Sequence, residues 1–315
     1  MTTIIHNTIH VLVALTLPPL LLGVIAKTKA VFAGRVGPPV LQPYYDLIKL
    51  FQKGSVFSTT TTWVFRAGPV VGLATTAIAV LLIPLIPLTG EEAGIPASSA
   101  PITFLGDMIL LAYLLGLGRF FTASAALDTG SAFEGMGAAR ELTFACLAEP
   151  AFILGLVVLA KLSGSLQLAG MLGNSLASHW MTAGASVALV LLSWFIVLLV
   201  ENSRIPFDDP NTHLELTMIH EVMVLDHSGP ALGMILYGAA LKLFIFAALI
   251  VRLALPVATG TVWLDWPIFA LGMLVVAVVI GVVESTMARL RLTHVPILLV
   301  AACLLGAFGF ILLMR

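Results

Sequence analysis

The sequence predicts an all-α integral membrane protein of about eight transmembrane helices, forming one polytopic domain over residues 1–315. Both termini are expected outside, and an amphipathic helix is expected at the cytoplasmic interface. Three observations carry this expectation. Hydrophobic residues fill 60% of the 315 positions and charged residues 10%, with a mean hydropathy of +1.09. Soluble domains carry about 25% charged residues. Apolar runs recur at the length that crosses a hydrocarbon core, about 20 residues. Finally, Lys and Arg gather in alternate loops, as cytoplasmic loops do.

The spans fall near 9–26, 67–89, 104–126, 138–160, 182–200, 231–253, 267–284 and 295–314. Backbone groups in lipid must be satisfied within their own segment, so each span is read as a helix. No Lys or Arg precedes the first span. The positive region of a signal peptide is therefore missing, and the first helix is expected to stay as an anchor. Loop 27–66 holds Lys27, Lys29, Arg35, Lys49, Lys53 and Arg66 against a single acid, Asp46. Arg140, Arg204, Arg289 and Arg291 fall on the same side, and Lys161, Arg252 and Arg315 on the other, ten against three. This bias puts loops 27–66, 127–137, 201–230 and 285–294 in the cytoplasm, and the chain in the cytoplasmic (inner) membrane. Within the first loop, "LQPYYDLIKLFQK" places Leu41, Tyr44, Tyr45, Ile48 and Phe51 or Gln52 at helical spacing. That pattern suits a helix lying in the interface, as a strap on membrane lipid or as a docking surface.

Composition also excludes. A net charge of −1 offers nothing for nucleic acid. Cys146 and Cys303 lie in apolar runs without metal-ligand spacing and read as small core residues. Two thiols are too few to hold an iron–sulfur cluster. No nucleophile–base or metal constellation appears, so no catalytic, cofactor-binding or metal-ligating residue is assigned to this chain.

What stands out is charge inside the spans. Each such residue costs roughly 2.5–3.5 kcal/mol on insertion scales and is a functional candidate by default. Asp107 and Arg119 share the third span, Glu141 and Glu149 the fourth, and Lys242 lies in the sixth. Glu201 and Glu284 close the fifth and seventh spans. Eight steps of helix leave Glu141 and Glu149 about 80° apart around the axis and roughly 12 Å along it, on one polar side. Two readings compete. Each acid is neutralised by a neighbour: Glu141 by Arg140 or Arg119, Glu149 by Lys242, Glu284 by Arg289. Alternatively, Glu141, Glu149, Glu201, Glu215, Asp107 and Lys242 form an ion pathway. Acids at several depths favour the pathway, since a single structural pair needs only one.

The fifth span opens into "ENSRIPFDDPNTHLEL" (201–216), with four acids and an arginine. "THLE" at 212–215 also fits a capping box, which would make Glu215 a helix cap. His213, His220 and His227 repeat every seven residues. Successive members would stand about 10.5 Å apart, too far to share a metal ion. A relay, a docking face or plain solvation remain for them, solvation first.

"GRVGPPVLQPYYDLIKLFQK" (34–53) together with 201–216 resembles the membrane subunit that joins the peripheral arm to the membrane arm in respiratory complex I. "LDTGSAFEGMGAARELTFACLAEP" (127–150) and "ESTMARLRL" (284–292) look closer to the corresponding subunit of group 4 membrane-bound nickel–iron hydrogenases, including the formate hydrogenlyase type. The resemblance runs from about residue 10 to the C-terminus. Glu149, Glu201, Arg204 and Asp208 match its motifs. After Glu215 the chain departs, with "LTMIHEVMVLDHSG" about three residues longer than the family's segment, and Asp226 and His227 replace its Glu-Tyr pair.

The resemblance implies a subunit without its own redox centre. Iron–sulfur clusters and a nickel–iron centre would lie in partners: large and small hydrogenase-like subunits and iron–sulfur proteins outside the membrane. Antiporter-like subunits would lie beside it in the membrane. Arm docking, or a quinone-like cavity, would fall to Arg35, Gly37, Pro38, Gln42, Asp46, Lys49, Arg140, Arg204, Phe207, Asp208, Glu221 and Asp226. The runner-up is a quinone-reducing relative of complex I, with loops 27–66 and 201–230 as the floor of a quinone tunnel. A stand-alone secondary transporter would show matching discontinuous halves, and no internal symmetry is visible.

Overall fold

The computed structural model describes residues 2–86, 100–173, 175–208, 219–256, 259 and 262–314. Among these the chain is all helix and turn. The helices are α1 (Thr2–Phe32), α2 (Gln42–Phe51), α3 (Trp63–Leu82), α4 (Asp107–Asp128), α5 (Ala132–Ser163), α6 (Leu168–Met171), α7 (Ser175–Glu201), α8 (Gly229–Ala254), α9 (Val262–Thr286) and α10 (Val295–Leu313). Eight of them are long and apolar enough to cross a membrane, while α2 and α6 are short. The expected spans are all present, and five of them extend past the apolar run at both ends. The second ends at Leu82 rather than 89, the third begins at Asp107 rather than 104, and the eighth ends at Leu313 rather than 314.

Lipid gives helices no hydrophobic reason to associate, so close packing needs small residues at the contacts. Between α3 and α4, Gly68 faces Ala125 and Gly118 faces the Thr75 hydroxyl, so tightly that an added Cβ would lie 2.9 and 2.7 Å from them. A Cβ on Gly155 of α5 would lie 2.1 Å from Nε1 of Trp194 on α7. The Trp194 indole N–H donates to Phe152 O at 3.3 Å, locking the two helices. Helix α8 is the buried centre, packed against α1, α2, α3, α7 and α9. Lys242 at its middle is thereby held inside the bundle.

Helix α1 carries Pro18 and Pro19, which remove two donors and free the carbonyls one turn earlier. The Tyr237 hydroxyl of α8 donates to Leu15 O at 2.8 Å, the carbonyl that Pro19 leaves open. The Tyr44 hydroxyl of α2 donates to Thr16 O. The short helix is thus tied to α1 on one side. Its other side leaves Tyr45, Ile48 and Phe51 exposed, as an interfacial helix requires. The chain leading into α2 crosses α1 at Gly23, where an added Cβ would lie 1.9 Å from Val40 O.

Candidate functional site

Five ionisable side chains from four helices meet inside the bundle. Arg119 of α4 is the hub, only 8% exposed. Its Nη2 donates to both oxygens of Glu201 on α7, at 2.7 and 2.6 Å, and its Nη1 to Oε1 of Glu149 on α5. Its Nε lies 3.7 Å from Oε1 of Glu141, which precedes Glu149 on α5. Lys242 of α8 reaches Glu201 Oε2 at 2.8 Å. A guanidinium has five donors fixed in a plane, and so can serve carboxylates on separate helices where an ammonium serves one point. Three carboxylates face two cations here, leaving one negative charge unmatched when all are ionised.

A second network lies at the loop end of the same bundle. Glu284 at the end of α9 lies 2.9 Å from Lys29 of α1 and 3.4 Å from Arg204. Asp208 accepts from Arg289 at 2.9 Å and from the backbone N–H groups of Ile219 and His220 at 3.0 and 3.3 Å. A cavity of about 460 Å³ joins the two networks. Its wall includes Lys29, Arg204, Asp208, His220 and Glu284 on one side and Arg119, Glu141, Glu201 and Lys242 on the other. Apolar side chains of α1, α3 and α8 fill the rest, among them Ile25, Leu73 and Ile235.

Glu141 faces Arg119, one of its two expected partners, while the other two pairings differ from those expected. Glu149 pairs with Arg119, because Lys242 is engaged by Glu201. Glu284 pairs with Lys29 and Arg204, because Arg289 is drawn to Asp208. Of the ion-pathway residues, Glu141, Glu149, Glu201 and Lys242 come together. Asp107 does not: it is buried at the first turn of α4, about 18 Å along the helix from Arg119, where Oδ1 accepts the Leu168 N–H at 2.7 Å. Glu215 and His213 lie outside the described residues.

Of the docking or quinone-like set, Pro38, Gln42, Asp46, Arg204, Asp208 and Glu221 line the cavity. Gln42 donates to Asp46 at 2.9 Å within α2. Arg35, Gly37 and Lys49 are exposed, Arg140 is half-buried on α5, and Phe207 is buried below the cavity beside Glu141. Asp226 is exposed, and its backbone N–H donates to Glu134 Oε1 at 3.2 Å. Cys303 is half-buried, but Cys146 lies exposed on α5 rather than in the core.

Sequence reasoning ranks three participants too low. Arg119 reads there as a neutraliser, although it lies well inside an apolar run. Glu134, which the sequence does not single out, is 1% exposed. His220 reads as solvated, yet it lines the cavity. Burial, with the Lys242 ammonium nearby, pushes its imidazole down to about 4, against the pull of Asp208. His227 is buried against Phe65, ring centroids 3.9 Å apart, and burial pushes it down to about 4 as well.

Comparisons with known proteins agree with this architecture. The family described as NADH dehydrogenase matches residues 5–315. Hydrogenase-4 component C of Escherichia coli K12 is 34% identical over 285 residues, 89% of this chain and 86% of the relative. Formate hydrogenlyase subunit 4 of the same organism is 31% identical over 307 residues, 93% of each chain. An NADH-quinone oxidoreductase subunit of Rubrobacter xylanophilus is 29% identical over 184 residues, 58% of this chain and 53% of the relative. Among solved structures, a chain of the membrane-bound sulfane sulfur reductase, an archaeal respiratory membrane complex, superposes with a TM-score of 0.80 at 20% identity, covering 99% of this chain and 100% of that chain. At that identity the likeness speaks for the fold.

Proposed function

The chain belongs to the NADH dehydrogenase family, and from that premise we propose that it is the membrane anchor and ion-coupling subunit of an energy-converting hydrogenase complex of the formate hydrogenlyase type. It holds no redox centre. Its loops dock a peripheral arm whose other subunits carry iron–sulfur clusters and the nickel–iron site, and antiporter-like subunits adjoin it in the membrane. The loop end is the cytoplasmic end, and the membrane is the inner one.

One observation carries this reading: the buried Arg119 cluster and the loop network share the wall of one cavity. A redox event in the arm alters charge or packing at the loops. Arg204, Asp208 and Glu284 feel it first. Lys242 and Glu201 are the next pair inward, and Glu201 holds the hub. Loosening either cation from Glu201 changes which carboxylate is neutralised. Because one negative charge is unmatched, a single proton completes the cluster. Glu141 is its natural carrier, since its 3.7 Å approach to Arg119 is the loosest ion pair of the cluster. From there the proton passes to Glu149.

A second reading keeps the chain in a quinone-reducing complex, and the cavity favours it: about 460 Å³ lies within the usual range of roughly 300–1,000 Å³ for small-molecule sites. The test that separates them is isolation of the tagged chain from its native membranes, with hydrogen evolution and quinone reduction assayed together. Hydrogenase subunits with hydrogen evolution are expected. Quinone reduction without hydrogenase subunits would move the chain to the second reading, and recovery of the chain alone would overturn both.

A further inference from the structure

The turn that closes α7 joins the two charge networks through a few residues of chain. Glu201, the last residue of α7, belongs to the Arg119 cluster, and Arg204 belongs to the loop network with Glu284. Between them Ser203 holds a φ of +49°, in the left-handed region, the only residue other than glycine to do so among the described residues. Its N–H donates to Val200 O at 3.0 Å, and that of Arg204 to Leu199 O at 2.8 Å. The Asn202 side-chain amide donates to Leu198 O at 2.8 Å. The last carbonyls of the helix are thus closed by the paired bonds of a left-handed helix end, whose turning position is usually glycine and sometimes asparagine. A serine there carries a steric cost at its Cβ. Such a residue persists where its surroundings over-determine it, and such residues gather at switch regions. Ser203 is 8% exposed, in the wall of the cavity of about 460 Å³ and of a void of about 10 Å³ beside Glu141 and Asp208.

The sequence does not itself require the helix to stop at Glu201. Pro206 disfavours helical backbone first at Ile205, so α7 could run on through Arg204. In that continued helix Arg204 would stand three residues after Glu201 on the same face, with Cβ atoms about 5–6 Å apart. Its guanidinium would then compete with Arg119 and Lys242 for the Glu201 carboxylate and leave Glu284. Three cations would face Glu141, Glu149 and Glu201, and no negative charge would be left for a proton to match. The left-handed turn instead sends Arg204 to its 3.4 Å contact with Glu284.

We propose that Ser203 is a positioning residue whose left-handed backbone divides the cations between the two networks. It keeps Arg204 on Glu284, and so leaves the Arg119 cluster one positive charge short. The backbone conformation performs this role, and the hydroxyl is dispensable. The inference rests on the reading of that cluster as the centre that takes up a proton.

The test uses the whole complex, purified with its peripheral arm and placed in vesicles. Ser203→Ala disfavours the left-handed turn and favours helix, and Ser203→Val disfavours the turn through its branched Cβ. Ser203→Gly and Ser203→Asn both accept the turn. Each variant is assayed for protons moved per hydrogen evolved, and for the infrared band of the protonated Glu141 carboxyl, identified by its loss in Glu141→Gln. The alanine and valine variants are expected to lose the band and most of their proton movement while keeping the arm. The glycine and asparagine variants are expected to match the parent in both. Parental behaviour of the alanine and valine variants would overturn the inference, as would a parent complex without the band. Failure of the glycine or asparagine variant would also overturn it, by assigning the role to the hydroxyl. So would loss of the arm from Ser203→Ala but not from Ser203→Gly, since the turn would then serve docking. A parent complex that moves no protons would overturn the coupling reading alone, and the infrared band would still decide the role of Ser203.

Discussion

Nη2 of Arg119 and the Glu201 carboxylate meet in a doubled contact between α4 and α7, at 2.7 and 2.6 Å, with Lys242 closing on the same carboxylate from α8 at 2.8 Å. Removing one member of such a buried pair costs about 3–5 kcal/mol, because the other charge is left uncompensated. Arg119→Met should therefore lower the thermal dissociation temperature of the complex and its yield in membranes. Adding Glu201→Gln should recover much of the stability without restoring proton movement. A single Arg119→Met variant as stable as the parent would show that the cluster is not held by this arginine.

Glu149→Gln keeps the shape of the side chain and one hydrogen bond to Arg119 while removing the charge and the exchangeable proton. Hydrogen evolution and assembly are expected to persist, and proton movement in vesicles to fall to background. Leu271→Gln, on the exposed side of α9 and outside the cluster, is expected to leave proton movement intact. Normal pumping by Glu149→Gln would remove the deep acid from the path.

Much of this was legible in the sequence, and the reason differs by part. The eight spans follow from apolar run length alone, since lipid imposes one solution on the backbone. The acids Glu141, Glu149 and Glu201 could be picked out because charge in a span is expensive. Their partners could not. Which base faces Glu149 depends on how α4, α5, α7 and α8 rotate about their axes, and those rotations are set by contacts such as Gly155 on Trp194, which are distant in sequence. For the same reason Asp107, identical in signal to the other acids, proved to be a local anchor for the Leu168 N–H. His220 was missed because heptad spacing says nothing of burial when the segment is not one continuous helix: only Glu221–Val224 forms a 3-10 turn there.

The approach of Val40 O to Gly23 gives a steric prediction. An added methyl would lie 1.9 Å from that oxygen, far inside contact distance, and the obstruction is backbone. Overpacking costs typically 1–3 kcal/mol, relieved by moving the weaker element. Here that element is the 38–41 connection, whose Pro38 and Pro39 line the cavity, rather than α1. Gly23→Ala should leave the chain inserted in the membrane at normal levels while reducing the hydrogenase subunits that co-purify with it. Full retention of the arm would mean that this connection does not contribute to docking.

The buried histidines make the 219–228 segment sensitive to acid. His220 and His227 each fall from 6.5 to about 4 by burial, with Lys242 adding to the shift at His220 while Asp208 and Asp226 oppose it at His220 and His227 respectively. Between pH 6.5 and 4 a released segment takes up protons that the packed segment refuses. Packing is therefore favoured fully above 6.5 and weakens as pH falls toward 4. Hydrogen exchange of the 219–228 amides, corrected for the intrinsic pH dependence, should lose protection across that window. The double variant His220→Gln with His227→Gln should flatten the profile, even though it weakens packing at every pH. Protection that holds constant from pH 6.5 to 4 in the parent would mean that these imidazoles carry no linkage to the packing of the loop.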